Sequence, residues 1–125
     1  MDLDSIRTYC LSLPHATEDI QWGNDLLFRI SGKIFAGISL DPPHSLSFKC
    51  TPEKFDELIE LEGIIPAPYT ARNKWVMLER PDALSDREIK SLIENSYQMI
   101  VAKLTKKAQA ELSSTKKTAR PPGKK

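Results

Sequence analysis

Long hydrophobic runs are missing: nowhere do the 125 residues string together the ~18 to 20 apolar residues of a membrane-spanning helix. The first fifteen residues carry Asp2, Asp4 and Arg7 between short apolar stretches, so they do not read as a secretory leader. Cysteine is scarce. Cys10 and Cys50 allow one disulfide at most, and reduced thiols in a cytoplasmic protein are the expectation. There is no C-x-x-C, no H-x-x-x-H and no Asp-rich calcium loop, so no metal site is expected. The glycine-rich phosphate cradles G-x-x-x-x-G-K-[ST] and G-x-G-x-x-G are also lacking, which argues against a nucleotide-dependent enzyme, and no cofactor is expected. Both cysteines fall on apolar positions and read as small core residues. The acidic pairs Glu18-Asp19 and Asp56-Glu57 read as solvated carboxylates. A non-catalytic domain is the expectation.

What is present is a single domain's worth of chain, 40% hydrophobic and 28% charged, long enough to bury a core without covalent or metal staples. The net charge of +1 conceals an asymmetry: residues 1–100 sum to −6 and residues 101–125 to +7. Two readings of the basic end stand side by side, contact with phosphate or another anionic surface and a solvated terminus.

Leu3, Ile6, Cys10 and Leu13 recur at helical spacing and predict a first helix from Asp2 to Leu13, ended by Pro14. Leu26 to Ile30 and Lys33 to Ile38 flank Ser31-Gly32 as a β-hairpin, and Ser45 to Cys50 adds a third, alternating strand. Thr51-Pro52-Glu53 opens a second helix that Gly63 closes. Ile64 to Lys74 reads as loop, Trp75 to Leu78 as a strand, and Ser85 with Glu88 as the capping box of a long third helix reaching Leu104. The predicted class is α+β: an antiparallel β-sheet packed by helices, in one domain over residues 1–110, followed by a basic disordered tail over residues 111–125. Helices one and three are expected on one face, the other face being polar or partly covered by helix two.

One segment carries chemistry. Tyr69, Arg72, Asn73, Lys74 and Trp75 interleave two cations, two aromatics and an amide within seven residues. Cations neutralise phosphates and aromatic faces stack exposed bases, each stacked base contributing about 1 to 3 kcal/mol in single-strand binders. Trp75 has a second reading, a core anchor with Arg72 and Lys74 solvated beside it. Lys33 at the hairpin tip and Lys49 on the polar side of its strand extend the candidate surface.

Several segments in register resemble the MmcQ/YjbR family of small bacterial proteins. They are Tyr9 to Pro14 followed by Thr17-Glu18-Asp19, Phe28 to Ala36, Ser47 to Glu53, Tyr69 with Asn73-Lys74-Trp75, and Ser96-Tyr97 leading into Val101 to Leu104. The resemblance implies a CyaY-like fold and DNA binding through a paired-wing arrangement, and it singles out Lys33, Lys49, Asn73, Lys74 and Trp75. Iron binding of the frataxin kind is not implied, because the first helix offers only Asp2 and Asp4 before Arg7. The leading expectation is therefore a DNA-binding module, of low affinity given the acidic balance of residues 1–100. The alternative is a protein-interaction module, without nucleic-acid binding, whose Trp75 region or acidic body meets another protein.

Overall fold

Asp2 caps helix α1 (Leu3–Ser12) by accepting the Ser5 amide at 2.8 Å, and the chain then builds a sheet in the computed structural model, which describes residues 1–68 and 70–119. Strands β1 (Thr17–Gln21), β2 (Asp25–Ile30), β3 (Lys33–Ser39) and β4 (Leu46–Lys49) follow in turn. After helix α2 (Pro52–Leu58) come β5 (Ile64–Pro66) and β6 (Trp75–Leu78), then helices α3 (Asp86–Ala102) and α4 (Lys106–Ala119). All neighbours are antiparallel, in the order β1-β2-β3-β4-β6-β5.

The hairpin turn lies where it was expected. Ser31 and Gly32 both take positive φ, 50° and 80°, which gives the pair the twist that a two-residue hairpin needs. Thr51 caps α2 and Ser85 with Glu88 forms the capping box of α3. Two strands were not foreseen. β1 has a single apolar residue, Ile20, and so lacks alternation; it is an edge strand protected by charge, with Glu18 paired to Arg7 and Asp19 to Arg29. β5 is three residues long and contains Pro66, tolerated because β5 forms the opposite edge.

Register sorts the side chains. Leu26, Phe28, Ala36, Ile38, Leu46, Phe48, Val76, Leu78 and Ile64 share one face. They form a single core with Ile6 and Cys10 of α1, Phe55 and Leu58 of α2, and Ile89, Leu92, Ile93 and Tyr97 of α3. Each large buried side chain contributes roughly 1.5 to 3 kcal/mol. Helix α2 therefore lies on the same face as α1 and α3, so of the two expectations for the other face, polar or partly covered by helix two, the second does not hold. The reason is its stripe: Phe55 and Leu58 are the residues of α2 that are buried, and they meet the core side of β5 and β6.

A bulge in β3 shapes one end of the sheet. Phe28 pairs with Ala36 but Arg29 with Ile34, which leaves Phe35 as an extra residue. Its carbonyl accepts the Ser96 hydroxyl of α3 at 2.7 Å, and Ser96 Oγ in turn accepts the Lys49 amide at 3.1 Å. Tyr97 sets its ring edge-on to Phe35 and donates to the Pro14 carbonyl at 2.6 Å, fixing the end of α1 against α3.

Helix α3 ends at Ala102 with Lys103 as its C-cap, two residues before the expected limit at Leu104, and Thr105 starts a new helix by accepting the Ala108 amide. The boundary drawn at residue 110 falls inside α4. Gln109 reaches back to the carbonyls of Val101 and Leu104, and the Leu112 carbonyl lies 3.0 Å from His15 Nε2. The expected tail is thus helical as far as Ala119; Arg120 to Lys125 lie outside the described residues. No described helix is long and apolar enough to cross a membrane.

Candidate nucleic-acid interface

In this antiparallel order the last residues of β2 and β4 and the first residues of β3 and β6 fall at one end of the sheet. The hairpin tip with Lys33, the exit of β4 at Lys49, and the 3-10 turn Ala71–Asn73 leading into Trp75 are consequently neighbours. Lys49 stands opposite Trp75 in the β4–β6 register, and its ammonium donates to the Asn73 carbonyl at 2.7 Å. Lys74 holds a left-handed backbone, φ 66°, and its ammonium lies 4.9 Å from the centre of the Phe55 ring. Lys33, Arg72 and Asn73 are exposed, and Lys49, Lys74 and Trp75 are half-buried. Among the described residues, Lys33, Lys49, Arg72 and Lys74 form no ion pair with a carboxylate, whereas Lys54 is engaged by Glu57. Tyr69, also a candidate, lies outside the described residues.

One contributor escaped the sequence reading. Burial first, and then the positive charge of Lys103 at the end of α3, hold the Lys49 ammonium below the ordinary lysine range. Lys103 therefore belongs to the same basic end. Its only signal in the sequence is its place at the terminus of the predicted long helix, where a cation also suits the helix dipole. Cys50 sits beneath this cluster, with its thiol against the Lys74 carbonyl. Burial pushes that thiol up to about 11, against the downward pull of Lys49, Lys54 and Lys74, so it remains protonated and is not a nucleophile at neutral pH.

Of the two readings of Trp75, the core anchor does not describe its position. Val76 and Leu78 point into the core, so Trp75 and Met77 point away from it. Among the described residues, Trp75, Met77, Ile34, Ile65 and Leu27 stand outside the core cluster. They occupy the face opposite the core to which α1, α2 and α3 contribute. Leu27 lies flat there because Gly37 opposite has no side chain: a Cβ at Gly37 would come within 3.0 Å of Leu27 Cδ2.

The opposite end of the sheet has a different character. Asp25, Asp41, Glu79 and Asp82 follow the strand ends there, and the terminal amine of Met1 pairs with Asp86 at 2.8 Å. An open cavity of about 500 Å³ between Met1, Asp4, His44, Arg80 and Asp82 lies at this acidic end. Among the described residues, no three His, Cys, Asp or Glu side chains are grouped as metal ligands.

The YjbR family model matches residues 11–99. The chain belongs to the YjbR family. Its fold is similar to the crystal structure of Deinococcus radiodurans protein DR2400, described as a DUF419 domain, at a TM-score of 0.80 and 25% identity over 89% of this chain and 87% of that one. It is also similar to the crystal structure of a protein from Pseudomonas syringae, at a TM-score of 0.66 and 25% identity over 79% of this chain and 98% of that one. No curated protein matches the sequence. The YjbR match covers the hairpin, Lys49 and the whole Ala71–Trp75 turn, and it stops short of Lys103 and α4.

Proposed function

We propose that this YjbR domain is a non-catalytic, cytoplasmic nucleic-acid-binding module that holds a phosphate backbone at the basic end of its sheet. One observation carries the reading: Lys33, Lys49, Arg72 and Lys74 come from three separate segments to one end and have no carboxylate partner among the described residues. Unpaired cations crowded together repel one another. The Lys49 pKa is lowered first by burial and then by the charge of Lys103, and a phosphate bound there would favour the charged form.

If each of the four cations neutralises one phosphate, log K falls against log salt with a slope of about −3 to −3.6, or about 50- to 150-fold between 50 and 200 mM salt. Titration of labelled DNA by fluorescence anisotropy at these two salt concentrations measures it. Arg72→Ala with Lys74→Ala is expected to weaken binding and to reduce the slope by about 1.4 to 1.8. A double variant that binds as well as the parent at low salt would overturn the assignment.

The alternative, docking of another protein, has its own support at the opposite end of the sheet. Trp22 in the β1–β2 turn is 73% exposed and Ile20 on the edge strand 57% exposed. Large apolar side chains so placed favour contact with a partner surface. Trp22→Ser leaves DNA binding unchanged if the basic end is the site.

A further inference from the structure

Resting on the nucleic-acid reading above, we infer that the ligand is single-stranded and that its bases lie on the sheet face opposite the core, with one base stacked on Trp75. Three features of the molecule point the same way. The first is the face itself: α1, α2 and α3 all contribute to one core on the other side of the sheet, and on this side Ile65 is 36% exposed, Trp75, Met77 and Ile34 are half-buried, and Leu27 among them is buried. The second is the mixture along its basic margin. Lys49 and Trp75 are direct cross-strand neighbours and Arg72 is exposed two residues before Lys74, while Lys33, paired with core-facing Ile30, stands at the hairpin tip on the helix side of the same end. A base lying on an indole places its own phosphate a few ångströms away, where an ammonium or guanidinium belongs.

The third feature concerns duplex. Its bases are stacked on one another and offer only edges and backbone to a protein, so a flat apolar face would remain unused. At this end α2 is seven residues long and lies with Phe55 and Leu58 turned into the core, and α4, which starts just after Lys103, is tied back to the end of α3 by Gln109 and lies against His15 through the Leu112 carbonyl. The face also limits the strand's path. On β1 and β2 it carries Asp19 and Asp25, with Asp19 held by Arg29 at 2.8 Å. An anionic strand entering at the basic end is therefore confined to the β3, β4, β6 and β5 side, room for roughly three or four nucleotides.

The two tryptophans lie at opposite ends of the sheet, which makes the test direct. Trp22→Phe removes the exposed indole of the acidic end and leaves Trp75 as the sole tryptophan, excited selectively over the three tyrosines at the red edge of the absorption band. This full-length variant is titrated at 50 mM salt with a labelled 12-nucleotide oligo-dT and with a 12-base-pair duplex, recording anisotropy and indole emission together. The expected result is that oligo-dT quenches Trp75 as it binds, that duplex binds at least tenfold more weakly without quenching, and that Lys49→Ala with Arg72→Ala weakens oligo-dT at least tenfold. Duplex bound as tightly as oligo-dT, with no quenching by either and with loss in the double variant, overturns the single-strand inference and leaves the nucleic-acid reading standing. Oligo-dT that quenches Trp75 with unchanged affinity in the double variant also overturns it, since the cations would not be guiding the strand. Binding of neither probe sinks both readings.

Discussion

Ser96 is the polar side chain that α3 buries completely, at 0% exposure, and its removal tests how the basic end is held in shape. Ser96→Ala deletes a hydroxyl that donates to the Phe35 carbonyl and accepts from the Lys49 amide. Neither group has a ladder partner to return to: Phe35 is the extra residue of the β3 bulge, and the β3–β4 register ends at Phe48. Each orphaned buried group costs about 1 to 3 kcal/mol, while alanine's better helix propensity returns about 0.5 kcal/mol. The net loss is about 2 to 5 kcal/mol, or ~8 to 20 °C in Tm at roughly 4 °C per kcal/mol for a domain of this length. Urea and thermal unfolding followed by circular dichroism measure it, and Asn95→Ala, on the exposed side of the same turn of α3, serves as the control with a shift below about 2 °C. The Lys49 amide should also exchange with deuterium faster in the variant than in the parent. A loss below about 1 kcal/mol, with Lys49 protection unchanged, would refute the clamp.

Two further predictions concern titrating groups. Burial pushes the Cys10 thiol up to about 12 and the Cys50 thiol up to about 11, so native protein at pH 8 should react slowly with Ellman's reagent and release both thiols only on unfolding; rapid labelling of one thiol in the native state would show that Cys50 is accessible and that the lysines outweigh burial. At the β1 edge, the hydrogen bonds from Arg7 and Arg29 hold the Glu18 and Asp19 carboxyls below their ordinary values. The stability they provide is complete above the unfolded carboxylate range, near pH 4, and is lost as pH falls through the lower folded values. Arg29→Gln should therefore flatten the acid limb of a stability-against-pH curve, and 0.5 M salt should narrow the difference; parallel limbs in parent and variant would show the pair to be inert.

The legible parts of the sequence are those where local chemistry and tertiary burial agree. Ser31-Gly32, Thr51-Pro52 and Ser85 with Glu88 each satisfy a backbone requirement within four residues, and each stands where the sequence put it. The segments that differ are those whose structure is lent by a neighbour. β1 is a strand because β2 offers it a full ladder, not because Thr17 to Gln21 alternate. β5 pairs with β6 across the loop-like stretch that Pro66 and Pro68 suggested. The candidate site shows the same division. Arg72, Lys74 and Trp75 are close in sequence and were found together, while Lys33 and Lys49 join them through register, which no local pattern reports. Lys103 joins through the packing direction of α3, so its contribution became visible only with the fold.

An acidic balance over residues 1–100 argues against anion binding only if the charge is spread evenly, and the topology keeps it from being so. Every connection of the antiparallel sheet lies at one end or the other. The β2–β3 turn, the β4–α2 junction, the loop entering β6 and the end of α3 carry Lys33, Lys49, Arg72, Lys74 and Lys103 at one end. The β1–β2 and β3–β4 turns, the exit of β6 and the starts of α1 and α3 carry Asp25, Asp41, Glu79, Asp82, Asp2, Asp4 and Asp86 at the other. Helix dipoles favour the acidic residues in the first turns of α1 and α3 at the acidic end, while the first turn of α2 sets one carboxylate, Glu53, beside the basic end. The separation is roughly the length of the seven-residue strand β3, about 20 Å, whereas the screening length at physiological salt is about 8 Å. A phosphate approaching the basic end therefore meets the field of its nearest cations, with the acidic end screened away. The net charge of −6 governs solubility and long-range repulsion at low salt, and it places little constraint on what binds at that end.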